Sequence, residues 1–338
     1  EGTAAVATAT ATDAENQTLT FSLSPSADSD LFDISASGVL RFLTAPDFET
    51  PADANNDNDY ELSVTVSDSQ NASDSQNVTV TVTDAIEGRV IDAPLSGSEI
   101  YIVTAGASAA SAGDPIGTSD AQGYFTVPAP ADTSNVQIMT RGGTDIETGV
   151  AMPAMTLMAD LPTAADASIA VTPISTVVAN AASAQEKQAV LTALGITDTV
   201  DAFLSKDIWK EAEEGNNEAQ SLQSTNAQIG LLISTAQSLL EDGTMAELSE
   251  VADKVAEKIV AKVSASEAID LQADSMISEV LTDALSSASV DAAVVDAVSS
   301  NIAEINELLA AEDIDPTSAN AADFIEKAQT ELQDAVKD

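Results

Sequence analysis

The 338-residue sequence contains no cysteine and no histidine. Without cysteine there is no disulfide framework, and without either residue the usual ligands of zinc, copper and iron are missing. The same absences remove Ser-His-Asp triads and Cys-His pairs, so any catalysis would fall to carboxylate, Lys or Tyr chemistry. Aromatic residues are scarce, at 7 Phe, 3 Tyr and 1 Trp, which leaves little for the stacking platforms that sugar sites lean on. Basic residues number 11 against 56 acidic ones, a formal charge of -45. Such a field repels phosphate backbones and anionic headgroups, making nucleic acid and membrane surfaces poor partners. No apolar run reaches the roughly 18 residues that suggest a membrane span. No basic segment followed by an apolar stretch opens the chain, and Glu1 fits a processed mature terminus. What the acidic excess favours is hard, oxygen-ligated cations, calcium first, and solubility in salty water outside the cell.

A chain of this length divides into two or three domains at about 100 to 200 residues each. Over residues 1–87, Thr and Ser alternate with Val, Leu and Phe, as in Thr18-Leu19-Thr20-Phe21-Ser22, Leu62-Ser63-Val64-Thr65-Val66 and Val78-Thr79-Val80-Thr81-Val82. Strict alternation marks half-buried strands, and the Asp, Asn, Ser and Gly clusters between them mark the turns of an antiparallel β-sandwich. Residues 88–160 again carry short strands, among them Glu99-Ile100-Tyr101-Ile102-Val103 and Gly123-Tyr124-Phe125-Thr126-Val127. Asp120-Ala121-Gln122-Gly123 reads as a hairpin turn with Gly123 at positive φ.

Over 161–338 the spacing changes to about 3.6 residues and the chain becomes Ala-rich and helical. Thr172-Pro173 supplies an N-cap and an N1 proline, Thr244 with Glu247 a capping box, and Asp315-Pro316 the start of a last helix. The stripes Val251, Val255, Ile259 and Met276, Ile277, Val280, Leu281 and Val298, Ile302, Ile305, Leu309 each form one apolar face, as does Phe324, Ile325, Ala328, Leu332. Such stripes close a helical bundle or pack against partner helices. The expected fold is therefore multidomain α+β: two antiparallel β-sandwiches, 1–87 and 88–160, followed by an α-helical bundle.

The blocks within 1–87 occur in an informative order. Ala11-Thr12-Asp13-Ala14-Glu15 is followed by Leu31-Phe32-Asp33-Ile34, Ser37-Gly38-Val39-Leu40, Pro46-Asp47-Phe48-Glu49 and Tyr60-Glu61-Leu62-Ser63-Val64-Thr65-Val66-Ser67-Asp68; a closing strand ends at Thr83-Asp84-Ala85-Ile86-Glu87. This series resembles bacterial cadherin-like repeats: their A-T-D-A-D turn, F-x-I and t-G-x-I blocks, L-D-x-E motif and closing strand. The resemblance covers about a quarter of the chain. It implies a seven-strand sandwich whose ends bind calcium, with Asp47, Glu49, Asp84 and Glu87 at the end facing the next domain and Asp13, Glu15 and Asp68 at the opposite end. The closing D-x-N-D-N motif is here only Asp84-Ala85-Ile86-Glu87, which leaves Asp92 or Asp120 as candidates to complete the downstream site. The physics of the ion agrees, since calcium takes about six to eight oxygens and needs several loops to converge.

Asp53, Asn55 and Asp57 place oxygen side chains at alternate positions, like the start of an EF-hand loop, but without its glycine and closing glutamate. They read equally as a solvated loop between strands. Residues 88–160, with Gly88-Arg89-Val90-Ile91-Asp92-Ala93-Pro94 and Thr118-Ser119-Asp120-Ala121-Gln122-Gly123, look like the transthyretin-like or carboxypeptidase-regulatory-like sandwiches of bacterial surface proteins. The sequons at Asn16, Asn71 and Asn77 are expected by chance among so many Thr and Ser and are given no role.

The expectation is a secreted or cell-surface structural or adhesive protein, not an enzyme, stiffened by calcium and associating with copies of itself or with neighbouring surface-protein domains, with residues 3–12 either the first strand of the sandwich or a strand donated to another copy. The alternative is an accessory or carbohydrate-degrading secreted enzyme using paired carboxylates. Trp209 reads as a packing anchor or as the wall of a ligand pocket.

Overall fold

The computed structural model describes residues 1–108, 111–163, 167–240, 243–288 and 290–310. The Asp315-Pro316 helix start and the stripe from Phe324 to Leu332 lie outside them. The fold is mixed α+β, and the chain forms two compact units, 1–85 and 86–338.

The first unit holds β1 (Ala5–Thr8), β2 (Thr20–Ser24), β3 (Phe32–Ile34), β4 (Val39–Phe42), β5 (Asp59–Ser67) and β6 (Ser73–Thr81). They form two antiparallel sheets, ordered β1-β4-β3 and β2-β5-β6. The alternation read from the sequence is what lets these sheets share a core. Leu40 and Phe42 of β4 and Tyr60 and Leu62 of β5 point to the same side and are buried with Phe32 and Val82, while Arg41 and Glu61 face water. Phe32, Phe42 and Tyr60 form an aromatic triangle, with Tyr60 edge-on to both phenylalanines at centroid distances of 5.8 and 5.0 Å. Residues 5–8, the segment suspected of serving another copy, pair with β4 as the first strand of this unit.

The second unit opens with β7 (Ala85–Val90), whose first residue still belongs to the first unit. It continues through β8 (Leu95–Ser96), β9 (Glu99–Thr104), β10 (Gly117–Thr118), β11 (Tyr124–Pro128), β12 (Val136–Arg141), β13 (Thr144–Asp145), β14 (Thr156–Asp160) and β15 (Ile169–Val171). The strand orders are β10-β9-β12-β14, β11-β7-β15 and β13-β8. The expected turn before β11 is present: Gly123 has φ +83, and Asp120 Oδ1 accepts from the Gln122 and Tyr124 amides.

The helices are α1 (Pro173–Ala179), α2 (Ala184–Ala193), α3 (Val200–Leu204), α4 (Ile208–Glu213), α5 (Asn217–Ser238), α6 (Met245–Ser264), α7 (Asp274–Ala284) and α8 (Ala292–Ala310). Thr172 caps α1 through the Ser175 amide, with Pro173 at N1, and Thr244 and Glu247 form the reciprocal box that opens α6. Where the sequence suggests separate modules for 88–160 and 161–338, one apolar core runs from Ile86, Val90 and Phe125 through Val177, Ile229 and Ile259 to Ile302 and Leu309. The physical reason is visible in two elements. β15 comes from the stretch assigned to the helical region yet pairs parallel with β7, and α1 packs its wholly buried seven residues against the strands.

α5 is the axis of this assembly. Asn216 caps it by accepting from the Glu218 and Ala219 amides, and most of its 22 residues are buried, including five polar ones. Asn226 is fully buried and bridges two layers, its Oδ1 accepting from the Ile174 amide and its Nδ2 donating to the Ile91 carbonyl. Trp209 is buried against Ile91 and Ala170, the packing role among its two readings.

Candidate cation site

The tip of the first unit is built from three chain segments. The segment at Glu1 is tied to the other two by its own side chain: Oε2 accepts from the Phe48 amide at 2.9 Å and Oε1 from the Ala85 amide at 3.2 Å. The Gly2 amide adds a bond to the Pro46 carbonyl at 2.9 Å. These links set Glu1 beside Glu49, which follows Phe48, and beside Asp84, which precedes Ala85. One carboxylate oxygen from each of Glu1, Glu49 and Asp84 lies within 4.8 Å of the other two, with Glu49 exposed and the others half-buried. Three anionic oxygens this close repel one another in water, whereas a divalent ion with a preference for hard oxygen ligands turns the same arrangement favourable. The exposed edge leaves room for water or a further ligand.

Two members of this cluster, Glu49 and Asp84, are among the residues expected from the sequence. Glu1 was not, because it stands in no motif and its position becomes meaningful only once the 46–49 loop and the end of β6 are folded against it. Asp47 is exposed and outside this group, its Oδ1 accepting from the Thr50 amide at 2.9 Å. Glu87 lies on β7 in the second unit and is exposed.

Asp13, Glu15 and Asp68 occupy two turns at the opposite end, as the register of β5 with β6 requires: Asp59 pairs with Thr81 at one end and Ser67 with Ser73 at the other. Asp13 Oδ1 accepts from the Gln17 amide, and Asp68 Oδ1 accepts from the Gln70 and Ala72 amides at 2.8 Å each. A Ser69 hydroxyl donating to Gln17 Oε1 joins the two turns. The Asp13 and Asp68 carboxylates serve as turn caps, Glu15 is exposed, and among the described residues the three do not gather as the Glu1 group does.

In the loop holding Asp53, Asn55 and Asp57 the side chains bond to the loop itself. Asp53 is 3% exposed and its two oxygens accept from the Asp57 and Asn58 amides. Burial opposes its ionisation, but the backbone N–H groups of Asp57, Asn58 and neighbouring residues outweigh it and hold the carboxyl below the usual carboxylate range. Asn55 Nδ2 donates to Asp57 Oδ2, and Asp57 Oδ1 accepts from the Asp59 amide. Asp28, which carried no sequence signal, is the buried organiser of this region, accepting from the Ala54 and Glu61 amides at 2.8 and 2.7 Å.

In the second unit, Asp120 caps its own hairpin, as described, and Asp92 lies against α5. The Asp92 carboxyl is raised from 3.8 to about 8, first by burial and then by the charge of Asp145. Burial also raises Asp145, against the opposing pull of the Thr148 and Glu147 amides. A separate polar cavity of about 760 Å³ lies between the 105–108 loop, the end of α1 and α6, lined by Asn135, Gln137, Lys187, Asp253 and Lys254 among others. No helix among the described residues is long and apolar enough to cross a membrane.

Comparison with known proteins adds little to this geometry. No family model matches the chain, and no curated protein matches it. Among solved structures, a crystal structure of human protocadherin-24 EC1-2 is similar at 16% identity and a TM-score of 0.18, covering 43% of this chain and 82% of that one.

Proposed function

We propose that the chain is an extracellular, calcium-stiffened structural or adhesive protein, and not an enzyme. The observation that carries this reading is the convergence of Glu1, Glu49 and Asp84 from three segments onto one point at the tip of the first unit. In this reading the unit is a cadherin-like sandwich, and the ion ties its first residues to the 46–49 loop and to the chain that leaves for the second unit. The joint is then held by metal-oxygen bonds instead of by side chains that repel one another. The second unit supplies the bulk: a transthyretin-like strand layer wrapped by helices, suited to self-association into a filament or layer. The absence of His and Cys and the acidic surface are in keeping with that role.

Calcium titration followed by thermal unfolding tests the reading. The transition of the first unit is expected to rise in millimolar calcium and fall with chelator, and Glu49→Gln is expected to remove most of the shift. Negative-stain imaging with and without calcium tests assembly. A transition indifferent to calcium, with monomers under both conditions, would sink the proposal.

A further inference from the structure

The turn Ile91–Pro94 leaves the end of β7 and runs between β13 and α5. It is held on one side by the Ile146 amide donating to the Pro94 carbonyl, and on the other by Asn226 Nδ2 donating to the Ile91 carbonyl and Gln223 Nε2 donating to the Asp92 carbonyl. Asp92 turns its carboxylate onto the bare face of α5 at Gly230: a Cβ placed on that glycine would meet Asp92 Oδ1 at 2.2 Å, so only glycine admits the carboxylate there. Among the described residues no hydrogen-bond donor reaches this carboxylate. Asp145, on β13 across the turn, is close enough for its charge to oppose that of Asp92.

A second acidic side chain beside a buried one does not define a site, but Gln223 adds a separate fact. It is 2% exposed, its amide nitrogen is fixed to the Asp92 carbonyl, and its Oε1 has no partner. An amide oxygen buried without a donor is costly and asks for an explanation. Three acceptor groups belong to this turn: the Asp92 carboxylate against Gly230, Gln223 Oε1, whose amide nitrogen is bonded to the Asp92 carbonyl, and the carboxylate of Asp145, the residue paired with Leu95 just past the turn. All are acceptors. α5 contributes neutral groups to this place, Gln223, Asn226 and Gly230, while Glu147, close enough to Asp145 to feel its charge, adds only further negative charge. The nearest cation on β7, Arg89, is engaged with Asp207 at 3.0 Å. We propose that Asp92, Asp145 and the Gln223 side-chain carbonyl form a second site for a hard divalent cation, calcium or magnesium, which clamps the strand layer of the second unit to α5.

The full chain carries a built-in reporter for this site. Trp209 is the only tryptophan and is packed on Ile91, the residue before Asp92. The experiment uses the Glu49→Gln chain, so that the site at the tip of the first unit is already disabled and its failure or success is read separately. Calcium chloride or magnesium chloride is added while Trp209 fluorescence is followed, first at constant temperature and then through thermal unfolding. The expected result is a saturable fluorescence change and a rise of the Trp209-reported midpoint by roughly 5–10 °C at saturation. The response should be lost in Asp92→Asn and weakened about tenfold or more in Asp145→Asn, a second variant that leaves the Gly230 notch untouched. No response to either ion up to roughly 10 mM, the weak end of extracellular calcium sites, would overturn the proposal, and so would an undiminished response in Asp92→Asn.

Discussion

In the first unit Asp13, Asp47, Asp53 and Asp68 each use a carboxylate to close a turn of backbone; in the second, Asp92 is drawn inward against a helix that offers it no charge. The same residue type thus does opposite things. At a turn the backbone N–H groups favour the ionised form, as at Asp53, where they outweigh burial. Under a helix, burial and a like charge favour the neutral form or a bound cation. The lesson is that a net charge of -45 says little about where negative charge is costly; the donors within reach decide that.

Four measurements would break or sharpen this contrast. The largest effect is expected from Asn226→Ala. It strips the Ile174 amide and the Ile91 carbonyl of their partner in a fully buried place, at about 1–3 kcal/mol for each group. Urea unfolding followed by Trp209 fluorescence should show a loss of about 3 kcal/mol or more, and a loss under 1 kcal/mol would mean water reaches the seam.

Next is the pH dependence of the second unit in chelator. Asp92 is raised to about 8 in the folded chain from its ordinary value of 3.8, so the folded state holds a proton that the unfolded chain releases earlier. Its contribution is therefore complete below about pH 4 and is lost as the pH climbs through about 8. The Trp209-reported midpoint should fall over that window, and Asp92→Asn should flatten it. An unchanged slope in the variant would assign the effect to other groups.

Third, saturating calcium should stabilise the first unit by about 2.7 kcal/mol at one hundred times the dissociation constant, and Asp84→Asn should remove most of it. Calorimetry resolving the two transitions checks this. Smallest is Thr244→Ala at the start of α6, which removes a cap bond at 3.3 Å from the Glu247 amide and should cost about 1 kcal/mol.

How far the sequence foretells these features depends on how local they are. The alternation around Tyr60 and Leu62, the hairpin at Asp120–Gly123 and the caps at Thr172 and Thr244 are all set by residues within a few positions of one another, and all are present. Glu49 and Asp84 were legible through motif order. Glu1 was not, since only the folded 46–49 loop gives it a role. Asp92 was noticed for its charge, but its partner surface is a glycine and a glutamine on α5, far along the chain, and nothing in the Asp92 neighbourhood encodes them. β15 escaped for another reason: Ile169–Val171 is three apolar residues before a capping threonine, too short to show a period and easily read as the lead-in to α1.

β7 has a consequence for load. It starts at the last residue of the first unit and becomes the middle strand of the β11-β7-β15 sheet. Tension carried along the chain into β7 loads the backbone bonds on both of its flanks, to β11 and to β15. Freeing this strand means breaking two rows of bonds, where an edge strand would need only one.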